Sequence, residues 1–180
     1  MSITIKNVQL AFPNVFVAKG FEDGTPDFNL IALIEPGSAN AKLIEAESDR
    51  VGTEKFGDKW SAVKKELIAK DRMALHDGDN KASLAGFAGM QYISARNKTR
   101  PTAVNRDRSP LQESDGLIYS GVYANVVIDC WAMSNNYGKR ICASLLGIQH
   151  VKHGEAFSGG GVASVDSFEA LDDDEIDDLV

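Results

Sequence analysis

The sequence predicts a mainly β protein, folded as a small Greek-key barrel of about five strands with one helical insertion. Three observations lead to this prediction. The chain of 180 residues is 43% hydrophobic and 25% charged, which is typical of a globular domain with one buried core. About five segments, separated by turn signals, have the composition of β-strands. Helical spacing is confined to one region, and because helices do not alternate with strands, a parallel α/β fold is disfavoured.

The first elements are two strands followed by the helical insertion. Residues 3–12 are rich in Ile and Val, and residues 28–34 are mainly apolar, with an Asp-Gly turn signal between them at 22–26. Ser38 is a candidate N-cap, and apolar residues at helical spacing follow it through two consecutive helices. We therefore expect a helical insertion at about 38–71.

Three further strands are predicted over about 90–98, 117–133 and 139–151. The last two are joined by residues 134–138, which have the composition of a turn. Five strands of this length with one helical insertion suit the OB-fold, a small Greek-key barrel. We therefore expect an OB-fold-like domain over residues 1–153.

The net charge of −7 argues against a nucleic-acid partner until the charges are located. Residues 154–180 contain nine of the 26 acidic residues and no Lys or Arg. Residues 1–153 therefore hold the other 17 and all 19 basic residues, a net charge of +2. Within this body, residues 96–108 contain five basic residues and one acid. Because Gly159–Gly161 opens a polar segment without a packing pattern, we expect 154–180 to be a flexible linker and a disordered acidic tail.

One face of the predicted sheet has residue types suited to single-stranded nucleic acid. Along the 117–133 strand, the even positions are apolar except Ser120, whereas the odd positions mix aromatic, polar and glycine residues. A similar mixture of aromatic and basic residues occupies one face of the 90–98 strand. Aromatic rings stack on bases, and Lys and Arg neutralise phosphates. The candidate DNA-binding residues are Tyr92, Arg96, Lys98, Arg100, Arg106, Tyr119, Tyr123 and Trp131.

Each part of this pattern also has a simpler explanation. Aromatic residues on a sheet are often covered by a helix, and the insertion at 38–71 must pack somewhere. A basic loop such as 98–108 is usually only a solvated loop. The combination is more specific than its parts, but an aromatic face could also be a protein interface in a structural or assembly protein. In that case Tyr119→Ala would disrupt oligomerisation and leave no DNA phenotype, and the sequence leaves open whether the chain forms a homo-oligomer.

The acidic tail has apolar residues among its carboxylates. Composition alone makes a solubility device the commoner explanation. Apolar residues within an acidic segment also suit docking on a basic, hydrophobic groove of a partner protein. Because its charge is opposite to that of the 96–108 loop, the tail could also compete with DNA, most strongly at low salt. The candidate partner-binding residues are Asp172, Asp173, Asp174, Glu175, Ile176, Asp177, Asp178, Leu179 and Val180.

Three segments carry a specific pattern: Arg100–Arg106, Leu117–Asn125 with its Tyr-Ser-Gly-x-Tyr run, and Ala143–Glu155. Together they resemble the bacteriophage single-stranded DNA-binding proteins. The Tyr-Ser-Gly-x-Tyr run is the most specific of them. The chain is similar to a branch of these proteins in tailed phages that was long described as a domain of unknown function. The resemblance is clear over about 90–180 and looser in the N-terminal half.

The resemblance implies an OB-fold and sequence-tolerant binding of single-stranded DNA during phage DNA replication or recombination in the host cell cytoplasm. It implies that the acidic tail recruits phage or host replication proteins. It also implies base stacking by Tyr119 and Tyr123 and backbone contacts from Arg96, Lys98, Arg100 and Arg106. Relatives of this functional class often end the tail in an aromatic residue. This chain ends in Leu179-Val180, so the sequence does not identify the partner pocket that would receive the tail.

Enzyme signatures are weak, and we expect neither catalysis nor a cofactor or metal ion. The sequence has no P-loop. Cys130 and Cys142 lie in apolar strands, as buried thiols do, and His150 and His153 lack the second pair of ligands that a zinc site needs. The run 77–80 resembles the start of a calcium loop but is not completed by a Glu. A metal-dependent nuclease is the remaining enzyme hypothesis.

The sequence shows no sign of a membrane or secreted protein. It has no run of about 18 apolar residues and no basic segment followed by an apolar one at its start. Its two cysteines cannot form a disulfide framework, which fits a reducing compartment. We therefore expect a protein of the cytoplasm.

Overall fold

The computed structural model describes residues 1–20 and 24–157, and in them five strands close into a barrel. The elements in chain order are β1 (Ser2–Lys19), β2 (Asp27–Ile34), α1 (Ala39–Phe56), α2 (Trp60–Ala69), β3 (Leu75–Asp77), β4 (Gln91–Asn97), β5 (Thr102–Val104), β6 (Tyr123–Asn135) and β7 (Gly138–Lys152). The predicted fold class, a mainly β barrel with a helical insertion, is confirmed.

The barrel closes in the order β1-β2-β4-β7-β6-β1. All contacts are antiparallel except that between β4 and β7, which pair in parallel at Arg96 and Ser144. The long strand β1 reaches both of its neighbours because its first half pairs with β6 and its second half with β2. Register shifts and positive φ angles at Asn7 and Phe12 mark the bends. Irregularities of this kind let a sheet curve into a barrel.

The helical insertion packs on the barrel core. The Ser38 hydroxyl accepts a hydrogen bond from the Ala41 amide at 3.2 Å, so the predicted N-cap is confirmed. Helix α1 packs against β1, β6 and β7. Trp60 of α2 lies against Gly52 of α1, where a Cβ would be 2.5 Å from the indole, so the two helices form one unit. No helix in the described part of the chain is long and apolar enough to cross a membrane.

Three details differ from the sequence prediction. The short strands β3 and β5 were not predicted; β3 pairs with β4, and β5 runs parallel to β7. Each of these strands has three residues, which are too few to show an alternation of apolar and polar side chains. They are strands because they pair with a longer neighbour. The predicted strand over 117–133 begins only at Tyr123, because a turn at Ser120–Gly121 precedes it and Gly121 has a φ of 113°.

Residues 154–157, which we expected to open the flexible linker, pack on the body. The Phe157 amide donates to the Ser120 carbonyl oxygen at 3.0 Å, and its ring joins a small apolar cluster that includes Leu33 and Phe87. The rest of the predicted tail, with the partner-binding candidates of 172–180, lies outside the described residues.

Candidate nucleic-acid interface

A groove crosses the outer surface of β2, β4 and β7. It consists of two adjoining cavities of about 380 and 470 Å³, which share Ser94 and Arg96 of β4. The first cavity extends to the turn between β6 and β7, and the second to the connection between β1 and β2. One end is lined by Phe12, Lys19, Asp27 and Lys81, and the other by Arg72, Trp131, Tyr137 and Arg140.

Trp131 and Arg96, two of the predicted residues, both line this groove. The indole nitrogen of Trp131 donates to the Ser144 hydroxyl at 3.1 Å, and Ser144 pairs with Arg96 across β4 and β7. The strand β7 therefore lies between the two strands that carry them. Trp131 remains 44% exposed, so the helical insertion does not cover this ring. An exposed indole that is fixed at its polar edge can present a flat face to a ligand.

Tyr137 and Arg72 also belong to the groove, although neither was predicted from the sequence. Tyr137 lies at the tip of the β6–β7 turn with 85% of its surface exposed. Arg72 holds this tip, since its guanidinium donates to the Tyr137 carbonyl oxygen at 2.9 Å. Gly138 allows the contact because it has a φ of 111° and a Cβ there would lie 2.5 Å from that guanidinium. Tyr137 could have been found from the sequence, because an aromatic residue within a predicted turn is expected to be exposed.

The groove carries an excess of positive charge. Asp27 is the one acid among its described lining residues. The Asp27 carboxylate accepts a hydrogen bond from the Asn29 amide at 2.8 Å and lies 3.9 Å from the Arg96 guanidinium. Such a lining attracts anions, and the aromatic rings give it flat apolar surface. Its basic residues are Lys19, Arg72, Lys81, Arg96 and Arg140.

Tyr92 does not lie open in the groove as expected. It is on the predicted face of β4, but only 6% of it is exposed. Its ring stacks on His76 at 5.0 Å, meets Phe87 edge-on at 5.4 Å and lies under the Lys81 ammonium at 5.1 Å. Burial, followed by the charge of Asp71, raises the pKa of its hydroxyl. Tyr92 therefore supports the groove wall, which corrects the expectation of a ring free to stack on a base.

Tyr119 and Tyr123 lie together, away from Trp131. Tyr123 begins β6, eight residues or roughly 26 Å along the strand from Trp131, and the Lys152 ammonium lies 4.7 Å from the centre of its ring. The Tyr119 hydroxyl donates to the Gly154 carbonyl oxygen at 2.8 Å, accepts from its amide at 3.0 Å and contacts the His153 imidazole. The structure thus places Tyr119 against the C-terminal segment, and base stacking by either ring stays a prediction.

The remaining predicted residues flank β5 on the surface. Lys98 and Arg100 lie between β4 and β5, and Arg106 follows β5 in a turn. The Arg100 guanidinium lies 5.6 Å from the centre of the Phe16 ring. All three side chains are exposed, and contact of these residues with DNA stays a prediction.

The two thiols are poor nucleophiles and poor metal ligands. Burial raises the pKa of Cys130 to about 12 and also raises that of Cys142, which lines the groove. Thiolates, not thiols, attack electrophiles and bind metals. Within residues 1–20 and 24–157, no group of three or more His, Cys, Asp or Glu side chains could hold a metal ion.

Sequence comparison connects the chain to phage proteins. A family model described as the single-stranded DNA-binding protein of Enterobacter phage Enc34 matches residues 1–180, so the likeness extends through the N-terminal half as well. The putative protein p50 of Acyrthosiphon pisum secondary endosymbiont phage 1 is 38% identical over 186 residues, which span 100% of this chain and 99% of that protein.

Solved structures show the same likeness. The single-stranded DNA-binding protein of bacteriophage Enc34 in complex with single-stranded DNA superposes with a TM-score of 0.76 at 29% identity, covering 87% of this chain and 89% of that one. The bacteriophage T7 single-stranded DNA-binding protein gp2.5 superposes with a TM-score of 0.59 at 11% identity, covering 91% and 98%. The second similarity is one of fold alone.

Proposed function

The chain belongs to the family of the Enterobacter phage Enc34 single-stranded DNA-binding protein, and on this premise we propose that it binds single-stranded DNA in the groove. The observation that carries the proposal is that an exposed Trp131, anchored at the edge of its indole, lines the same cation-rich groove as Arg96. In OB-folds, oligonucleotides bind on the second and third strands, between the first and last connections of the barrel. Here these strands are β2 and β4, and the groove lies on them.

In this proposal the aromatic rings bind the bases and the basic side chains bind the phosphates. Base–aromatic stacking contributes about 1–3 kcal/mol per base and accepts every base, so Trp131 and Tyr137 favour binding without sequence specificity. The basic side chains of the groove bind phosphates. If about four phosphates are neutralised, the slope of log affinity against log salt is about −3.

The biological role follows from such binding. We propose that the protein coats and protects single-stranded DNA during phage replication or recombination in the host cytoplasm, without catalysis. The acidic tail, with Asp172–Val180 at its end, would recruit phage or host replication proteins. Its support is the mixture of acidic and apolar residues in the sequence.

Tryptophan fluorescence tests the proposal, because Trp131 is exposed and the chain's other tryptophan, Trp60, is buried. Titration with oligo-dT should quench the Trp131 emission, and the Trp131→Phe variant should lose the quenching. A duplex of the same length should bind more weakly, since its bases are already stacked. Equal affinity for the single strand and the duplex would overturn the proposal, and repeating the titration over a salt series measures the slope.

A further inference from the structure

A separate cavity of about 440 Å³ opens on the same sheet surface and shares no lining residue with the groove. We name it the β5 cavity because Thr102 and Val104 of β5 line one part of it. Its other principal lining residues combine apolar surface, two amides and one guanidinium. They are Val127, Leu146, Asn125, Gln149 and Arg108.

A β-bulge shapes this cavity. Leu145 pairs with Ile128 and Gly147 pairs with Val127, so Leu146 is an extra residue on β7. Its side chain is consequently 38% exposed. A side chain at Gly147 would fill space beside β5, since a Cβ there would lie 3.3 Å from the Thr102 carbonyl oxygen. Bulges that redirect side chains are frequent beside functional sites.

The β5 cavity is also tied to the basic turn that follows β5. The Asn125 amide donates to the Gln149 side-chain oxygen at 3.0 Å, and the Gln149 amide donates to the carbonyl oxygens of Asn105 and Arg106, each at 3.4 Å. In this turn Arg108 has a φ of 69°. A non-glycine residue in the left-handed region costs conformational energy, and such residues occur at ligand-binding sites as well as at the bends of strands.

We propose that the β5 cavity is a second nucleotide subsite for the DNA strand that occupies the groove. A base would lie against Val127 and Leu146, and Arg108 would bind a phosphate. The cavity has a volume typical of small-molecule sites. It also continues the groove, because Ser144 in the groove and Leu146 in the cavity lie two residues, or roughly 7 Å, apart on β7. This inference rests on the proposed function of the groove.

The charges along this path favour a phosphate backbone. Asp129 lies between the two sites on β6, but its carboxylate is 3.2 Å from the N-terminal ammonium of Met1, which offsets its charge. In the basic turn, Asp107 accepts hydrogen bonds from the amide and the hydroxyl of Ser109, while Arg108 stays exposed. A strand that leaves the groove along β7 would therefore meet a second basic region.

Oligonucleotide length separates the two sites. We would measure affinity for oligo-dT of about 4 to about 16 nucleotides, the range of site sizes of OB-folds. The variants are Leu146→Ala and Arg108→Gln, with matched controls Ile68→Ala and Lys65→Gln on the exposed side of α2. We expect both variants to bind the shortest oligomers like the unmodified chain and the longest ones about three- to tenfold more weakly. For long oligomers, Arg108→Gln should also make the salt slope less negative by about 1.

A third variant distinguishes a loss of DNA affinity from a loss of folding stability. Arg108→Gly relieves the left-handed backbone, so it should be at least as stable as the unmodified chain while it binds long oligomers more weakly. Unchanged affinity at every length, or an equal loss at all lengths, would overturn the second subsite and leave the groove proposal intact. An unmodified chain that binds no oligomer would overturn the proposed function, and the subsite with it.

Discussion

Trp131 is the side chain on which the groove proposal depends most directly. Its indole nitrogen is bound to Ser144, and the residue lines the same cavity as Arg96. We expect Trp131→Ala to weaken binding of oligo-dT about 5- to 150-fold, because one base would lose about 1–3 kcal/mol of stacking. Fluorescence anisotropy with labelled oligo-dT measures the change. Trp131→Phe, which keeps a ring, should lose less, and an alanine variant that binds like the unmodified chain would remove Trp131 from the interface.

Cys142 offers an independent test of where DNA lies. It lines the groove, whereas Cys130 points into the barrel core, and burial raises the pKa of both thiols. At pH 8 we expect iodoacetamide to label Cys142 slowly and Cys130 not at all in the folded protein, since the thiolate is the reactive form. Saturating oligo-dT should slow the labelling of Cys142 further, measured by mass spectrometry. Unchanged labelling of Cys142 would place the DNA elsewhere.

At the scale of single residues, alternation along strands predicted which way side chains point, but not what covers them. The odd positions from Tyr123 to Trp131 do face outwards, and the even ones are buried. Tyr92 also lies on its predicted face, yet His76, Phe87 and Lys81 enclose it. Those contacts come from residues of other segments, whose position no local period reveals. Arg96 and Trp131 line one groove because β7 pairs with both of their strands. This arrangement is likewise a property of the fold.

Among the elements, the C-terminal segment 154–157 is hydrogen-bonded to Tyr119. The Tyr119 hydroxyl bonds both backbone groups of Gly154, and a Cβ at Gly154 would collide with the Gly121 carbonyl oxygen. We expect Tyr119→Phe to lower the free energy of unfolding by about 1–3 kcal/mol, because buried backbone groups lose their partner. Urea unfolding measures this loss. Affinity for oligo-dT should not change, since the ring is retained.

Two neighbouring variants sharpen that test. Gly154→Ala should destabilise by a similar amount, about 1–3 kcal/mol, through overpacking against Gly121 and the Tyr123 ring. Glu155→Ala, an exposed neighbour, should be close to neutral and serves as the control. If Tyr119→Phe unfolds like the unmodified chain, the hydroxyl contacts do not anchor the segment.

The elements also show which structural features a sequence can predict. Long amphipathic segments were placed correctly, and the N-cap at Ser38 set the start of α1. The predicted start of the strand at residue 117 was wrong, because the structure has a turn before Tyr123, where Gly121 has a positive φ. Apolar residues at even positions continue through this turn, so alternation alone does not reveal it. The β5 strand exists through three pairings with β7, and its sequence alone carries no period. Contacts distant in sequence decide such elements.

For the whole molecule, the location of charge matters more than its sum. Nine of the 19 basic residues lie in the groove or around β5, and eight of the 26 acidic residues lie in 158–180. The structure adds the position of Phe157, the last described residue before this segment. Phe157 packs in one apolar cluster with Tyr92, whose ring lies under Lys81 of the groove. The acidic tail therefore begins beside the proposed DNA site.

We expect truncation after Phe157 to strengthen DNA binding at low salt. The truncated chain would keep 18 acidic and all 19 basic residues, so its net charge would change from −7 to +1. Near 0.01 M salt the Debye length is about 30 Å, and the tail repels or displaces DNA; near 0.15 M it is about 8 Å, and the difference should shrink. Fluorescence anisotropy with oligo-dT over a salt series measures both effects. Keeping Phe157 preserves its packing on the body, so a change in affinity is attributable to the tail.

Charge and tail length can then be separated. A full-length chain in which the eight acidic residues of 158–180 are replaced by Asn and Gln should bind DNA like the truncated one, because competition depends on charge. Binding like the unmodified chain would instead mean that the tail acts by bulk. Equal or weaker affinity of the truncated chain at low salt would exclude competition by the tail. Docking on a replication protein would then be the one role still proposed for the tail.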